Sequence, residues 1–216
     1  DDELHGADGP LHVQDVVDKR PIQETFLDAM EEQGVPRNKD FNGIDQAGCG
    51  HYQFTQKDGR RWSTSSAYLN PARGRSNLEI RTKVQTKRII FEQNKAVGVE
   101  TERAGRSETI RARHVILSCG AIGSPQLLEL SGVGDADRLN ALGINVHHHL
   151  PDVGEHLQDH LLCKVVYGTR ADLSINREVR GARLIPAALK WFFARKGPLT
   201  TGSAPIGAFW YTREGL

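Results

Sequence analysis

The spacing of apolar positions changes several times along the chain, and each change predicts a different kind of element. After Gly9-Pro10, the run Leu11-His12-Val13-Gln14 alternates apolar with polar, as an exposed strand does. From Pro21 the interval lengthens. Ile22, Phe26, Ala29 and Met30 recur every three or four residues, Pro21 suits a first helical turn, and Gly34 suits a C-cap. This spacing predicts an amphipathic helix over 21–33 with that stripe in the core. Residues 38–62 are rich in Gly, Asn, Asp and Gln without a sustained period, which predicts loop with one short strand. Ser63-Thr64-Ser65-Ser66 ahead of Ala67-Tyr68-Leu69 predicts a capped short helix broken near Pro71.

Between 77 and 118 the pattern is strand-dense. Five β-type runs, at 78–80, 89–91, 96–99, 109–110 and 115–117, are separated by polar turns. In the last of them the apolar residues are adjacent, which predicts a strand over 114–118 buried on both faces. It leads into the turn Ser118-Cys119-Gly120-Ala121 and then a helix from Gln126 to Leu130, after Ser124-Pro125. Further on, the pattern predicts a short helix at 135–142, strands at 144–146, 161–167 and 206–211, and a long helix at 179–195 kinked at Pro186. That last helix carries a basic face of Arg180, Arg183, Lys190, Arg195 and Lys196, read as solvated surface or as packing on another part of a larger protein. The fold class is mixed α/β.

Composition narrows the function classes. With the 22 Gly counted in place of the four Tyr, apolar content is about 46%, inside the ~45–50% globular range, which sets aside disorder and fibre. A length of 216 residues admits one large domain or two interleaved ones. Lys and Arg number 28 against 27 Asp and Glu, so no overall field draws the chain to nucleic acid or a lipid surface. Cys49, Cys119 and Cys163 are too far apart in sequence and odd in number for a disulfide framework or a CxxC site, which points to a reducing, cytoplasmic compartment. No apolar run approaches the ~18 residues of a membrane span. The opening Asp1-Asp2-Glu3 lacks a Met or a leader, so the native N-terminus is expected to lie further upstream.

The expected strand at 114–118, the glycine turn and the helix behind it form the strand-turn-helix geometry that brings backbone amides close to a phosphate-bearing cofactor. Tight strand-helix packing needs the same small residues, so two readings stand side by side. A GxGxxG fingerprint is missing, and Gly48-Cys49-Gly50 lacks the third glycine. Histidines cluster at His147-His148-His149, and His156 and His160 have i, i+4 spacing, yet Leu157 stands where a zinc protease needs Glu. No metal ligand is assigned. Without a GxSxG elbow a serine hydrolase has no anchor.

The fifteen residues from Gly120 through Gly134, GAIGSPQLLELSGVG, resemble the second signature of the glucose-methanol-choline (GMC) flavoprotein oxidoreductases. Four further blocks agree in order and spacing: His5–Leu11, Gly59–Ser63 with Tyr68-Leu69, Arg75–Leu78, and Val153–His160. The best likeness is to the choline dehydrogenase and alcohol dehydrogenase branch. His156 departs from the family's Asn in the last block. The family's N-terminal glycine-rich FAD motif and C-terminal catalytic His have no counterpart in this sequence, so the chain resembles the middle of such an enzyme and is expected to be a fragment.

The resemblance implies FAD-dependent oxidation of an alcohol by hydride transfer to flavin, to an acceptor that is oxygen or a quinone-like carrier. It implies part of an FAD-binding α/β domain, residues 21–163, interleaved with part of an antiparallel-sheet substrate domain, residues 1–20 and 164–216. Cofactor contacts are expected at Thr86, through its backbone to the adenine edge, and at Ser118, Cys119, Gly120 and Ala121. Cys119 is expected to be a small packed residue, and Gln158-Asp159-His160 to fix a loop by hydrogen bonds. No catalytic residue is expected in this chain. A binding module that kept the fold without its chemistry, and a hydrolase built on the histidine cluster, are the competing expectations.

Overall fold

Pro21 opens the first helix, Pro21–Glu32, in a computed structural model that describes residues 3–168, 173–211 and 213. The chain forms two units, one made of residues up to Leu78 together with those from Val166 onward, the other of Glu79–Val165.

In the first unit the helix rests on a strand within 38–62, a stretch where the sequence pattern predicts one short strand without locating it. Gly48–His51 pairs antiparallel with Ile206–Phe209, and Leu27, Val35 and Cys49 form a buried cluster backed by Met30, Ile206 and Ala208. The buried helical positions are Gln23 and Leu27, so the expected stripe of Ile22, Phe26 and Ala29 faces outward. The helix is turned by one residue because Gln23 accepts the Arg20 N–H at 3.1 Å while Leu27 meets Cys49. Ile22 and Phe26 instead line an open depression with Leu173 and Ile175. The stretch 38–62 is also more regular than its composition suggests. Besides Gly48–His51 it holds Gln53–Phe54, Gln56–Lys57 and Arg60–Arg61 as short antiparallel pieces, the first of them pairing Gln14–Asp15. Pro71 does not break the following helix, since it sits in the opening turn of Asn70–Ala72 behind a π-helical turn, Ser65–Leu69.

His51 closes this sheet against the helix, 3.3 Å from Gln23 Oε1 and 3.6 Å from Glu24. Burial holds its imidazole below the ordinary value, with Lys19 adding to the effect and Glu24 opposing it. A histidine kept neutral in the fold charges more readily in the unfolded chain. Its contribution to stability is therefore complete above about pH 6.5 and is lost as the pH falls from there towards the lower folded value. Chemical denaturation at successive pH values should show this loss, and His51→Gln should flatten it.

The second unit is a three-stranded antiparallel meander, Gln85–Glu92, Lys95–Arg103 and Arg106–Arg111, with a helix, Gly120–Leu130, packed on its first strand. Leu127 and Ile89 bury the contact, and Ser131 pins it: its Oγ accepts the Ile89 N–H at 2.8 Å and donates to the Leu127 carbonyl at 2.5 Å. The short helix expected at 135–142 is present as Ala136–Ala141, and Asp135 caps it by accepting the Arg138 N–H at 2.9 Å. Three expected strands are absent. Residues 78–80 and 161–167 are unpaired, and 114–118 is irregular, with Ile116 86% exposed. A strand buried on both faces forms only between neighbours, and the meander ends at its own two edges without reaching 114–118. The ladder expected at 144–146 falls instead at His148–His149, parallel to Val133–Gly134.

From Val166 onward, the expected long helix is divided into Ile175–Glu178, a 3-10 turn at Gly181–Arg183, and Leu184–Ala194. Pro186 therefore lies in a first turn, where its missing N–H removes no helical bond, and it makes no kink. Among the described residues no helix is long and apolar enough to cross a membrane.

Candidate functional site

Four of the five cofactor positions expected from the sequence lie together where the Gly120–Leu130 helix begins. Cys119 is its N-cap, and Gly120 its first residue at φ +82°. The helix thus starts six residues before its predicted start, carrying Pro125 inside it. Ser124 reaches back to accept the Cys119 N–H at 3.1 Å, which shapes the turn. The first N–H groups of an α-helix have no partner within it and carry the positive end of its dipole. Here they open on an exposed surface. A Cβ built on Gly120 would meet no atom within 4 Å, so the turn offers room for a group to approach the backbone closely.

Ser118, Cys119, Gly120 and Ala121 are all exposed. Cys119 is therefore not the packed residue expected, because the sheet neighbours that would pack it are not supplied by the meander.

Thr86 lies in the strand against which this helix packs. It faces Thr101 across the ladder, beside a bulge between Thr86 and Arg88. Gln85–Glu92 is an edge strand, so one row of its backbone N–H and C=O groups points away from the meander. That is what a backbone contact to a flat, hydrogen-bonding ring requires. The structure brings helix and strand together, yet no hydrogen bond among the described residues joins Thr86 to the 118–121 turn. An edge backbone, a positive-φ glycine and exposed helix amides fit a nucleotide cofactor with a pyrophosphate.

The sequence reading missed Arg138. Its guanidinium pairs with Glu129 at 2.9 Å, with Glu155, and with the Val153 carbonyl at 3.0 Å, tying the 153–155 loop to the end of the Gly120–Leu130 helix. The hydrogen bond to Glu155 leads the effects that raise its pKa above the ordinary arginine value. A loop anchor of the kind expected of Gln158-Asp159-His160 is thus found five residues earlier, at 153–155. The bond seen there is a local one, from the His160 N–H to Asp159 Oδ1 at 2.8 Å. A lone arginine within a short polar helix carries no sequence signal of such a role. His156 sits at φ +56° outside any helix, 3.4 Å from Asp152, so the i, i+4 pairing with His160 does not place two imidazoles on one face. Among the described residues no three His, Cys, Asp or Glu side chains are grouped to hold a metal ion, and the histidine-based hydrolase has no centre there.

The profile of the GMC oxidoreductase family matches residues 2–162. The chain belongs to that family. It is 39% identical over 214 residues to an oxygen-dependent choline dehydrogenase of Staphylococcus saprophyticus, covering 99% of this chain and 38% of that protein. It is 40% identical over 212 residues to an alcohol dehydrogenase (acceptor) of Pseudomonas putida, covering 95% of this chain and 38% of the relative. A formate oxidase crystal structure superposes with a TM-score of 0.77 at 25% identity over 93% of this chain and 36% of that one. The GMC chain thus spans less than two fifths of the length of these relatives, and its mixed α/β fold with small antiparallel sheets is shared with solved GMC-type enzymes.

Proposed function

We propose that this chain is the central part of an FAD-dependent oxidoreductase that oxidises an alcohol, with choline the substrate favoured by the likeness to choline dehydrogenase. The observation that carries the reading is the open glycine turn at 118–121 on a helix N-terminus, within a chain of the GMC family. Bound FAD supplies the hydride acceptor for the alcohol carbon. This chain's residues bind and orient. Thr86 offers its edge-strand backbone to the adenine, the 118–121 turn admits the cofactor close to the backbone, and the first amides of the Gly120–Leu130 helix favour its negative charge. We place residues 21–163 on the flavin side and residues 1–20 and 164–216 on the substrate side. The final electron acceptor is oxygen or a quinone-like carrier. Cys49, Cys119 and Cys163 are all free, which suits the cytoplasm.

Adding choline without oxygen to the full flavin-loaded polypeptide should bleach the flavin's visible absorbance. If neither choline nor any simple alcohol does so, alcohol oxidation is refuted. The 216-residue chain alone should quench flavin fluorescence only weakly on titration, because its sequence holds no GxGxxG grip for the pyrophosphate. Micromolar or tighter binding would mean that the grip lies within these residues after all.

A further inference from the structure

The proposed cofactor contacts, Thr86 and the 118–121 turn, lie on different elements. Thr86 belongs to the Gln85–Glu92 strand, and the turn opens the Gly120–Leu130 helix. One ligand can engage both only where strand and helix keep a fixed register. Ser131, the residue that ends the helix, sets that register. Its hydroxyl uses both of its capacities, since Oγ accepts the Ile89 N–H at 2.8 Å and donates to the Leu127 carbonyl at 2.5 Å. Leu127 is one turn back in the helix. Ile89 is three residues along the strand from Thr86, about 10 Å at ~3.3 Å per residue. Ser131, Ile89 and Leu127 are all buried within this one unit. The apolar contact between helix and strand has no preferred direction and tolerates sliding, whereas the hydroxyl bond does not.

The backbone just beyond Ser131 is fixed as well. Gly132 has φ +84°, and a Cβ there would lie 2.4 Å from the Asn145 carbonyl oxygen. Its own carbonyl accepts the N–H groups of His147 and His148 at 2.7 and 3.0 Å. His147 in turn stacks on Phe91 of the same strand, with ring centroids 4.3 Å apart and planes 11° from parallel. Strand, helix end and the 145–148 segment thus close a ring of contacts. Ser131 supplies the hydrogen bond in that ring that runs between strand and helix.

We propose that Ser131 is a positioning residue for the cofactor: its hydroxyl holds the Gly120–Leu130 helix against the Gln85–Glu92 strand so that the 118–121 turn and the Thr86 backbone meet one FAD together. The proposal rests on the flavin reading above. Removing the hydroxyl leaves the Ile89 N–H buried without an acceptor, and the helix end shifts against the strand to relieve it. That shift weakens only a ligand long enough to touch both elements. A ligand confined to the strand is unaffected, because the strand is held in its meander by the ladder to Lys95–Arg103.

The test titrates the full polypeptide, stripped of flavin, with FAD and separately with adenosine, the latter read by its competition with FAD. Ser131→Ala should weaken FAD binding about tenfold and leave adenosine within about twofold of wild type. Ser131→Thr and Ser131→Val fill the same volume, and only the threonine keeps the hydroxyl, so the threonine variant should bind FAD more tightly than the valine one. That pair carries the comparison even if Ser131→Ala folds poorly. Leu139→Ala, at a fully buried position of the Ala136–Ala141 helix, should lower stability in urea without changing FAD affinity, which separates lost register from lost stability. Unchanged FAD binding in Ser131→Ala, or equal weakening of FAD and adenosine, would overturn the proposal. Gly120→Val tells its failure from that of the flavin reading. If Gly120→Val weakens FAD and Ser131→Ala does not, the positioning role alone falls; if neither does, the flavin reading falls with it.

Discussion

Gly120→Val in the flavin-loaded enzyme is expected to lower FAD occupancy several-fold, while the same change at Gly105 leaves occupancy at the wild-type level. The two glycines are matched in everything local. Gly120 has φ +82° and Gly105 φ +76°, and a Cβ on either would meet no atom of this chain within 4 Å. Valine in the left-handed region costs each site about 1–2 kcal/mol. What differs is the setting. Gly105 closes the hairpin between Lys95–Arg103 and Arg106–Arg111, whereas Gly120 opens the helix whose amides we assign to the cofactor. Absorbance ratios of the purified variants measure occupancy, and chemical denaturation measures the common strain. Stoichiometric FAD with unchanged alcohol oxidation in Gly120→Val would remove the 118–121 turn from the cofactor site.

Leu27→Ala should destabilise the 216-residue chain by about 3 kcal/mol, in the lower half of the ~2–5 kcal/mol range for leucines truncated in a core, because partly buried Met30 packs beside the void. Leu27 is fully buried, and its contacts include Val35 and Cys49 of the small cluster that joins the Pro21–Glu32 helix to the Gly48–His51 strand. Burial there also pushes the Cys49 thiol above its ordinary pKa, as expected of an inert packing group. Phe26→Ala removes a larger side chain one position away, yet should cost no more than about 1 kcal/mol because Phe26 is half exposed. Equal losses in urea denaturation would show that the helix buries the Ile22–Phe26 face instead.

Local pattern was enough to place the helices at 21–32 and 136–141, the strand at 206–209 and the hairpin-rich stretch after 85. In each of these, capping residues, turn glycines and side-chain period act within a few residues of one another. The fifteen-residue run beginning at Gly120 likewise carried the family without any fold. Tertiary structure decided the rest. Which face of Pro21–Glu32 is buried depends on Cys49, more than fifteen residues away, and Gly48–His51 is a strand only because Ile206–Phe209 lies beside it. The apolar run at 114–118 has the composition of a central strand but finds no neighbour to pair with, so its pattern alone could not make it one. Arg138 holds the 153–155 loop through acceptors that are nine to seventeen residues distant in sequence, and no local rule links them. Periodicity records which side chains share a face of an element. What that face meets is settled by long-range packing, where burial and hydrogen bonding are gained only once both partners are in place.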